Sequence, residues 1–308
     1  MLSVLWYGAR VALIPKKTAR KVEKLIFKFL WSNKTELIRR TSLYRKRQEG
    51  GVGVPHVLGS CRALFMEKLK TLLSVQGREV AQPWIGYGIY RAGISLREPN
   101  PDLASNYFIH KVTGTDGVWQ EILFLVRTLR VGFDKTFWDK TKSKLIYEKI
   151  MKETLQMPHT VCVRKPHIKW EKVWSNIWRN SFLTNKEKEL YFKVIHGAVP
   201  VKAIFKGLPH IQKLCNTCRK QEIETLNHAF FECEVVWPAL ESLVNAFKDT
   251  DIRLTTEKII APDSDLSEKQ LATLALYLCA VWAKRAAARE AKVYNIGNEF
   301  LQRLQRRL

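Results

Sequence analysis

CNTCRKQEIETLNHAFFEC, residues 215–233, holds a Cys-x2-Cys pair, then His228 after nine intervening residues, then Cys233 after four more. Two cysteines separated by two residues can bring both sulfurs to one ion through a tight turn. A closed set of four nitrogen and sulfur donors is the arrangement of a tetrahedral structural zinc site. Cys215, Cys218, His228 and Cys233 are therefore the expected metal ligands and zinc the expected ion, with His210 as a substitute donor. Such a site can supply about 10–16 kcal/mol of apparent binding free energy to folding. Helix geometry adds a constraint. Positions five apart lie about 140° around an ideal α-helix, so His228 and Cys233 cannot share one face of an unbroken helix. His228 is expected within a helix and Cys233 at or just past its end, with the Cys-x2-Cys turn closing from the other side.

Upstream, Trp170, Val173, Trp174, Ile177 and Trp178 recur at helical spacing, the pattern of a helix packed through an aromatic face. Thr184-Asn185-Lys186-Glu187 is a capping box that starts the next helix. Leu190, Tyr191, Val194 and Ile195 are the apolar face of that helix. Gly197 and Pro200 mark its end. Downstream, residues 235–247 read as a helix, 249–265 as a polar connection, and 267–294 as a long Ala- and Leu-rich helix. Lys284, Arg285, Arg289 and Lys292 crowd the second half of that long helix, and Arg303, Arg306 and Arg307 end the chain on a basic helical face.

The N-terminal segment differs in charge. Of a net +23 over 308 residues, +10 falls in residues 1–50, which carry 13 Lys and Arg against 3 Asp and Glu. A field of that sign attracts polyanions. After Pro15, tolerated at a helix start, Val22, Leu25, Ile26, Phe29 and Leu30 form the expected apolar face of a helix, with Lys17, Lys21, Lys24 and Lys28 opposite. Residues 38–55 read as a short β-hairpin turning at Gly50-Gly51, with Gly53 allowing a close backbone approach. A helix follows, with Leu58, Ala63, Leu64, Met66, Leu69 and Leu72 as its apolar positions. Residues 76–115 are rich in Gly and Pro and read as loops; helices are expected at 117–128 and 140–155.

These readings give a mainly α fold: a bundle-like helical array with a hairpin near 38–55 and a Cys-Cys-His-Cys zinc knuckle. The expected divisions are 1–75 (basic helices and hairpin), 76–165 (loop-rich linker and helices), 166–248 (zinc-binding helical domain) and 249–308 (C-terminal basic helices). No run of 18 apolar residues occurs, so no membrane-spanning helix is expected. The first 14 residues lack a basic start and a cleavage site and read as a helix rather than a signal peptide. Six cysteines do not make a disulfide framework in a chain this long. Cys61, Cys162 and Cys279 read as buried small hydrophobes, and the expected compartment is reducing, the nucleus and/or cytoplasm rather than the secretory route.

Leu13-Ile14-Pro15, Phe27 to Trp31 and Gly50-Gly51-Val52-Gly53-Val54-Pro55 resemble the segment after the polymerase core in non-LTR (LINE-type) retrotransposon reverse transcriptases. The block from Trp170 to Trp178, Leu183-Thr184-Asn185, His196 to Val201 and Cys215 to Trp237 resembles that family's reverse-transcriptase zinc-binding domain. The resemblance implies the end of the thumb, the connection and the zinc-binding domain, and contacts to RNA and DNA. One departure is decisive for activity. The family's aromatic-x-Asp-Asp strand holds the catalytic metals, and no Asp-Asp pair occurs in this sequence.

The expected function is thus a zinc-containing module that binds RNA and/or DNA, a part of a transposable-element protein that is not an enzyme by itself. The polymerase core of a related element is a candidate partner; no membrane and no small-molecule substrate are expected. The alternative is a zinc-stabilised helical scaffold for protein interactions. Lys16, Lys17, Arg20, Lys21, Lys24, Lys28, Arg39, Arg40, Arg45, Lys46 and Arg47, with Arg219 and Lys220 at the knuckle, are the expected nucleic-acid contacts. A nuclease reading of Asp263, Asp265 and Glu268-Lys269 has the wrong spacing for clustered metal-binding acids.

Overall fold

The computed structural model describes residues 2–10, 14–73, 142–155, 166–262, 265–289 and 296–307. The expected loops at 76–115 and helix at 117–128 lie outside these residues, as does Cys162. The chain packs as two compact units, Met1–Thr35 with Pro55–Met157, and Glu36–Val54 with Pro158–Leu308.

In the first unit, helices α1 (Leu2–Ala9), α2 (Lys16–Leu30) and a later helix, Val57–Leu73, meet around Ala9, Ala19, Val57 and Cys61, with Leu5, Trp6, Ile14, Val22 and Ile26 packed against them. Small residues at the centre let the helix backbones come close. Pro15 immediately precedes α2 and its carbonyl accepts from Thr18 and Ala19 N–H. The apolar face of α2 is rotated from the expected one. Ala19 and Phe27 are buried, while Leu25 and Phe29 are exposed, Phe29 to 87%. The spacing of the apolar residues over two faces left the rotation undetermined, and the small Ala19 won the inward position.

The second unit begins with a correction. Residues 38–55 form no hairpin: α3 (Arg40–Leu43) and a 3-10 turn, Arg47–Glu49, occupy the place of the first strand. The returning segment bonds back through Val52 and Val54 N–H to Leu43 O and through Gly53 N–H to Arg45 O. Buried Ile38 and Leu43 anchor the turn as single side chains rather than as an alternating strand. Gly50 ends the 3-10 turn at φ 81°, and a Cβ there would sit 2.7 Å from the Trp174 indole nitrogen. Gly53 makes no close approach, contrary to expectation; its φ of 74° is what requires glycine.

With the helix Val57–Leu73 as α4 and Ser143–Thr154 as α5, both in the first unit, the second unit continues with α6 (Trp170–Arg179), α7 (Asn185–Ile195), α8 (Trp237–Ala246), α9 (Thr256–Ile260), α10 (Glu268–Arg289) and α11 (Ile296–Arg307). The Trp stripe of α6 is buried as expected at Trp170, Val173, Trp174 and Ile177. Trp174 stacks on His196 with ring centroids 5.5 Å apart, and His196 Nε2 donates to the Gly50 carbonyl at 3.1 Å. The Thr184–Glu187 capping box is formed in both directions, and Gly197 takes φ 63° just past α7. Tyr191 donates to Ile259 O at 3.0 Å, and Tyr277 of α10 donates to Phe230 O, which ties α10 to the segment bearing His228. Among the described residues there is no strand, only an isolated antiparallel bridge between Leu214 and Ile223, and no helix long and apolar enough to cross a membrane.

Candidate metal centre

Three short pieces of backbone build the site. The first is the Cys215–Cys218 turn, where Thr217 N–H donates to Cys215 Sγ at 3.4 Å. The second is the Leu214–Ile223 bridge, in which Cys215 N–H donates to Glu222 O at 2.7 Å and closes the loop between them. The third is a π-helical turn, His228–Glu232, whose closing bond runs from Cys233 N–H to His228 O at 3.0 Å. Thr225 Oγ1 accepts from His228 N–H at 3.0 Å and starts that turn.

The π turn resolves the five-residue spacing. An α-helix would rotate position 233 away from 228, whereas an i→i+5 turn widens the ring and returns the chain to the same side. His228 thus lies within the turn and Cys233 just past it in extended conformation, with φ −67° and ψ 127°.

The four expected ligands come together. One donor atom from each of Cys215, Cys218, His228 and Cys233 lies within 4.8 Å of every other, and all four residues are buried. His228 Nε2 is 3.5 Å from Cys218 Sγ. The Cys233 thiol is hydrogen-bonded to the Cys215 sulfur, which holds Cys215 well below the ordinary thiol range and pushes Cys233 up. This group can hold a metal ion. Among the described residues no other set of His, Cys, Asp and Glu does so. His210 is exposed and is not part of it.

Sequence reasoning missed the surrounding shell. Glu222 Oε2 accepts from His228 Nδ1 at 3.0 Å, which fixes the tautomer that turns Nε2 toward the sulfurs. Lys202 Nζ donates to Leu214 O and Asn216 Oδ1, both at 2.6 Å, and pins the turn from outside. Buried Glu224 accepts from Lys202 N–H at 2.9 Å and forms an ion pair with buried Arg285 of α10. Arg285 is therefore not part of a solvent-facing basic surface, as its sequence setting had suggested. Nothing local distinguishes Glu222 or Glu224 from other loop acids, because their partners are six and sixty-one positions away.

The expected nucleic-acid contacts fall in both units. Lys16, Lys17, Arg20, Lys21, Lys24 and Lys28 are exposed on α2. Arg39, Lys46 and Arg47 are exposed in the second unit; Arg40 is half-buried and paired with Glu36, Arg45 is half-buried, and the Arg47 guanidinium lies 5.2 Å from the Trp178 ring centre. Arg219 and Lys220 are exposed at the knuckle, with Arg219 N–H donating to Glu234 Oε1 at 2.9 Å. No protein-family model matches this chain, and no curated protein matches it.

Proposed function

We propose that the chain is a zinc-containing module that binds RNA or DNA and is not catalytic by itself. In this reading it corresponds to the C-terminal region of a LINE-type reverse transcriptase and works in the nucleus and/or cytoplasm. The observation that carries the binding reading is the charge sorting on α2. Its six Lys and Arg from 16 to 28 are exposed, while Glu23, its one acid, is turned inward with its side chain 13% exposed. Glu23 Oε1 accepts from Val57 N–H at 3.0 Å, at the start of α4. The helix therefore presents six cations to solvent and turns its own acid inward, a charge sorting that favours a run of phosphates. In the second unit, an open groove of about 610 Å³ on the outward side of α6 is lined by Lys169, Lys172 and Arg179 together with Glu171, Trp170, Gln48, Ser175 and Asn176, and Lys172 there is paired with Asp265.

Zinc is the ion that fits the donors. Thiolates with one imidazole in a buried, closed set favour it. Tetrahedral zinc, with bonds of about 2.3 Å to sulfur and 2.0–2.1 Å to nitrogen, spaces those two atoms about 3.6 Å apart, close to the 3.5 Å between Cys218 Sγ and His228 Nε2. The ion would cross-link the Cys-x2-Cys turn to the His228–Cys233 turn and thereby support the helices beyond them.

Filter binding across a salt series tests the reading. Affinity for duplex DNA should fall steeply with salt. Replacing Lys17, Lys21 and Lys24 by Gln should flatten the log–log slope by about 0.9 for each phosphate that is no longer neutralised. Affinity indifferent to salt would sink the electrostatic account. The second reading, a zinc-stabilised interaction scaffold, is favoured by Val4 and Tyr7 on α1 and Phe29 on α2, exposed to 76%, 75% and 87%. Failure to bind any RNA or DNA at low salt would select it.

A further inference from the structure

Trp237 is the single exposed tryptophan among the described residues, at 52%. It is not a spare core residue. The other described tryptophans are buried or half-buried, and Trp237 stands at the first position of α8, only four residues after the ligand Cys233. The Lys220 ammonium lies 5.5 Å from its ring centre. Lys220 follows Cys218 by two residues, so the cation comes from one half of the knuckle and the indole from the other. Gln221, at φ 48°, bends the chain next to Lys220, and the Arg219 N–H to Glu234 Oε1 bond crosses between the same two halves.

We propose that Trp237 and Lys220 form a metal-assembled platform for an unpaired nucleotide, an inference that rests on the nucleic-acid-binding reading above. A base stacks on the open indole surface, and Lys220 and Arg219 meet the adjoining phosphates. Flat aromatic surface beside two exposed cations is the chemistry that binds single strands without reading sequence. A paired base offers no free face to the indole, so the platform selects single-stranded over duplex nucleic acid. Glu241, exposed one turn along α8, repels phosphate on that side and directs the strand toward Lys220. Closure of the knuckle brings the two residues together, so loss of the ion disperses the platform.

The test uses the full chain with a fluorescent single-stranded oligo(dT) and, in parallel, a duplex. Trp237→Ala should weaken single-strand binding by about 5- to 150-fold, the usual range for removing one base–aromatic stack, and leave duplex binding unchanged. Trp237→Phe should retain most of the affinity. Oligo(dT) should also quench the emission that the wild type has in excess of Trp237→Phe. Because the side chain is half exposed, an unchanged melting temperature verifies folding of both variants. Single-strand affinity equal to wild type in Trp237→Ala overturns the platform alone, since duplex binding persists. A wild type that binds neither strand form overturns the platform and the proposed function together.

Discussion

Glu222 orients His228 without being one of the four candidate metal ligands. Its carboxylate accepts from Nδ1 at 3.0 Å, so Nε2 is turned toward the sulfurs in a fixed direction. Partners of this kind are worth about 10- to 100-fold in metal affinity. Glu222→Ala should lose that much zinc affinity in competition with a chromophoric chelator, and Glu222→Gln, which keeps an acceptor but no charge, should lose less. Equal affinities for all three proteins would show that His228 is oriented by the backbone alone. Cys218→Ser removes a candidate ligand outright and should cost folding of the second unit, read as a lower melting temperature.

Three glycines define the segment that sequence alone misassigned. A Cβ on Gly51 would meet the Arg45 carbonyl oxygen at 2.1 Å, and one on Gly50 would meet Trp174 at 2.7 Å in a left-handed conformation; Gly53 is left-handed with open space around it. Alanine should therefore destabilise most at Gly51, by about 2–4 kcal/mol at Gly50, where strain and overpacking add, and by about 1–2 kcal/mol at Gly53, where only strain acts. Denaturant midpoints check the order, and Gly53 costing as much as Gly50 would contradict the packing account. The same segment shows where sequence reading stops. The Thr184–Glu187 box, the α6 stripe and the Cys-x2-Cys pair were legible because their partners lie within a few residues. The Gly-Gly of 50–51 signalled a turn correctly, but what packs on it is Trp174, more than a hundred residues away, so a hairpin and a 3-10 turn looked alike. The Glu224–Arg285 pair and the rotation of α2 were hidden for the same reason: both depend on long-range partners that no local period encodes.

At the scale of the molecule, the two units respond to different solution variables. The candidate metal ligands all belong to the second unit, whereas His56, in the first, is a proton-sensitive cap. His56 stands just before α4, and its Nδ1 accepts from Gly59 N–H at 3.0 Å, which an imidazolium cannot do. Burial lowers its pKa below the ordinary 6.5; Glu23, 3.6 Å from Nε2, opposes the shift, and Arg62 reinforces it. A histidine depressed in the folded state binds fewer protons folded than unfolded. Its contribution is complete above the unfolded pKa and is lost as pH falls from there toward the folded pKa. Amide exchange in α4 and α5, corrected for intrinsic rates, should therefore accelerate as pH falls below the ordinary histidine range. His56→Gln, which can still accept through its side-chain oxygen, should lessen the dependence. Zinc chelation held at about pH 7.5 should act elsewhere, opening α7, α8 and α10 while α4 stays protected, because ligand loss and histidine protonation strike separate cores. Loss of α4 protection on chelation at constant pH would show instead that the metal stabilises both units as one cooperative body.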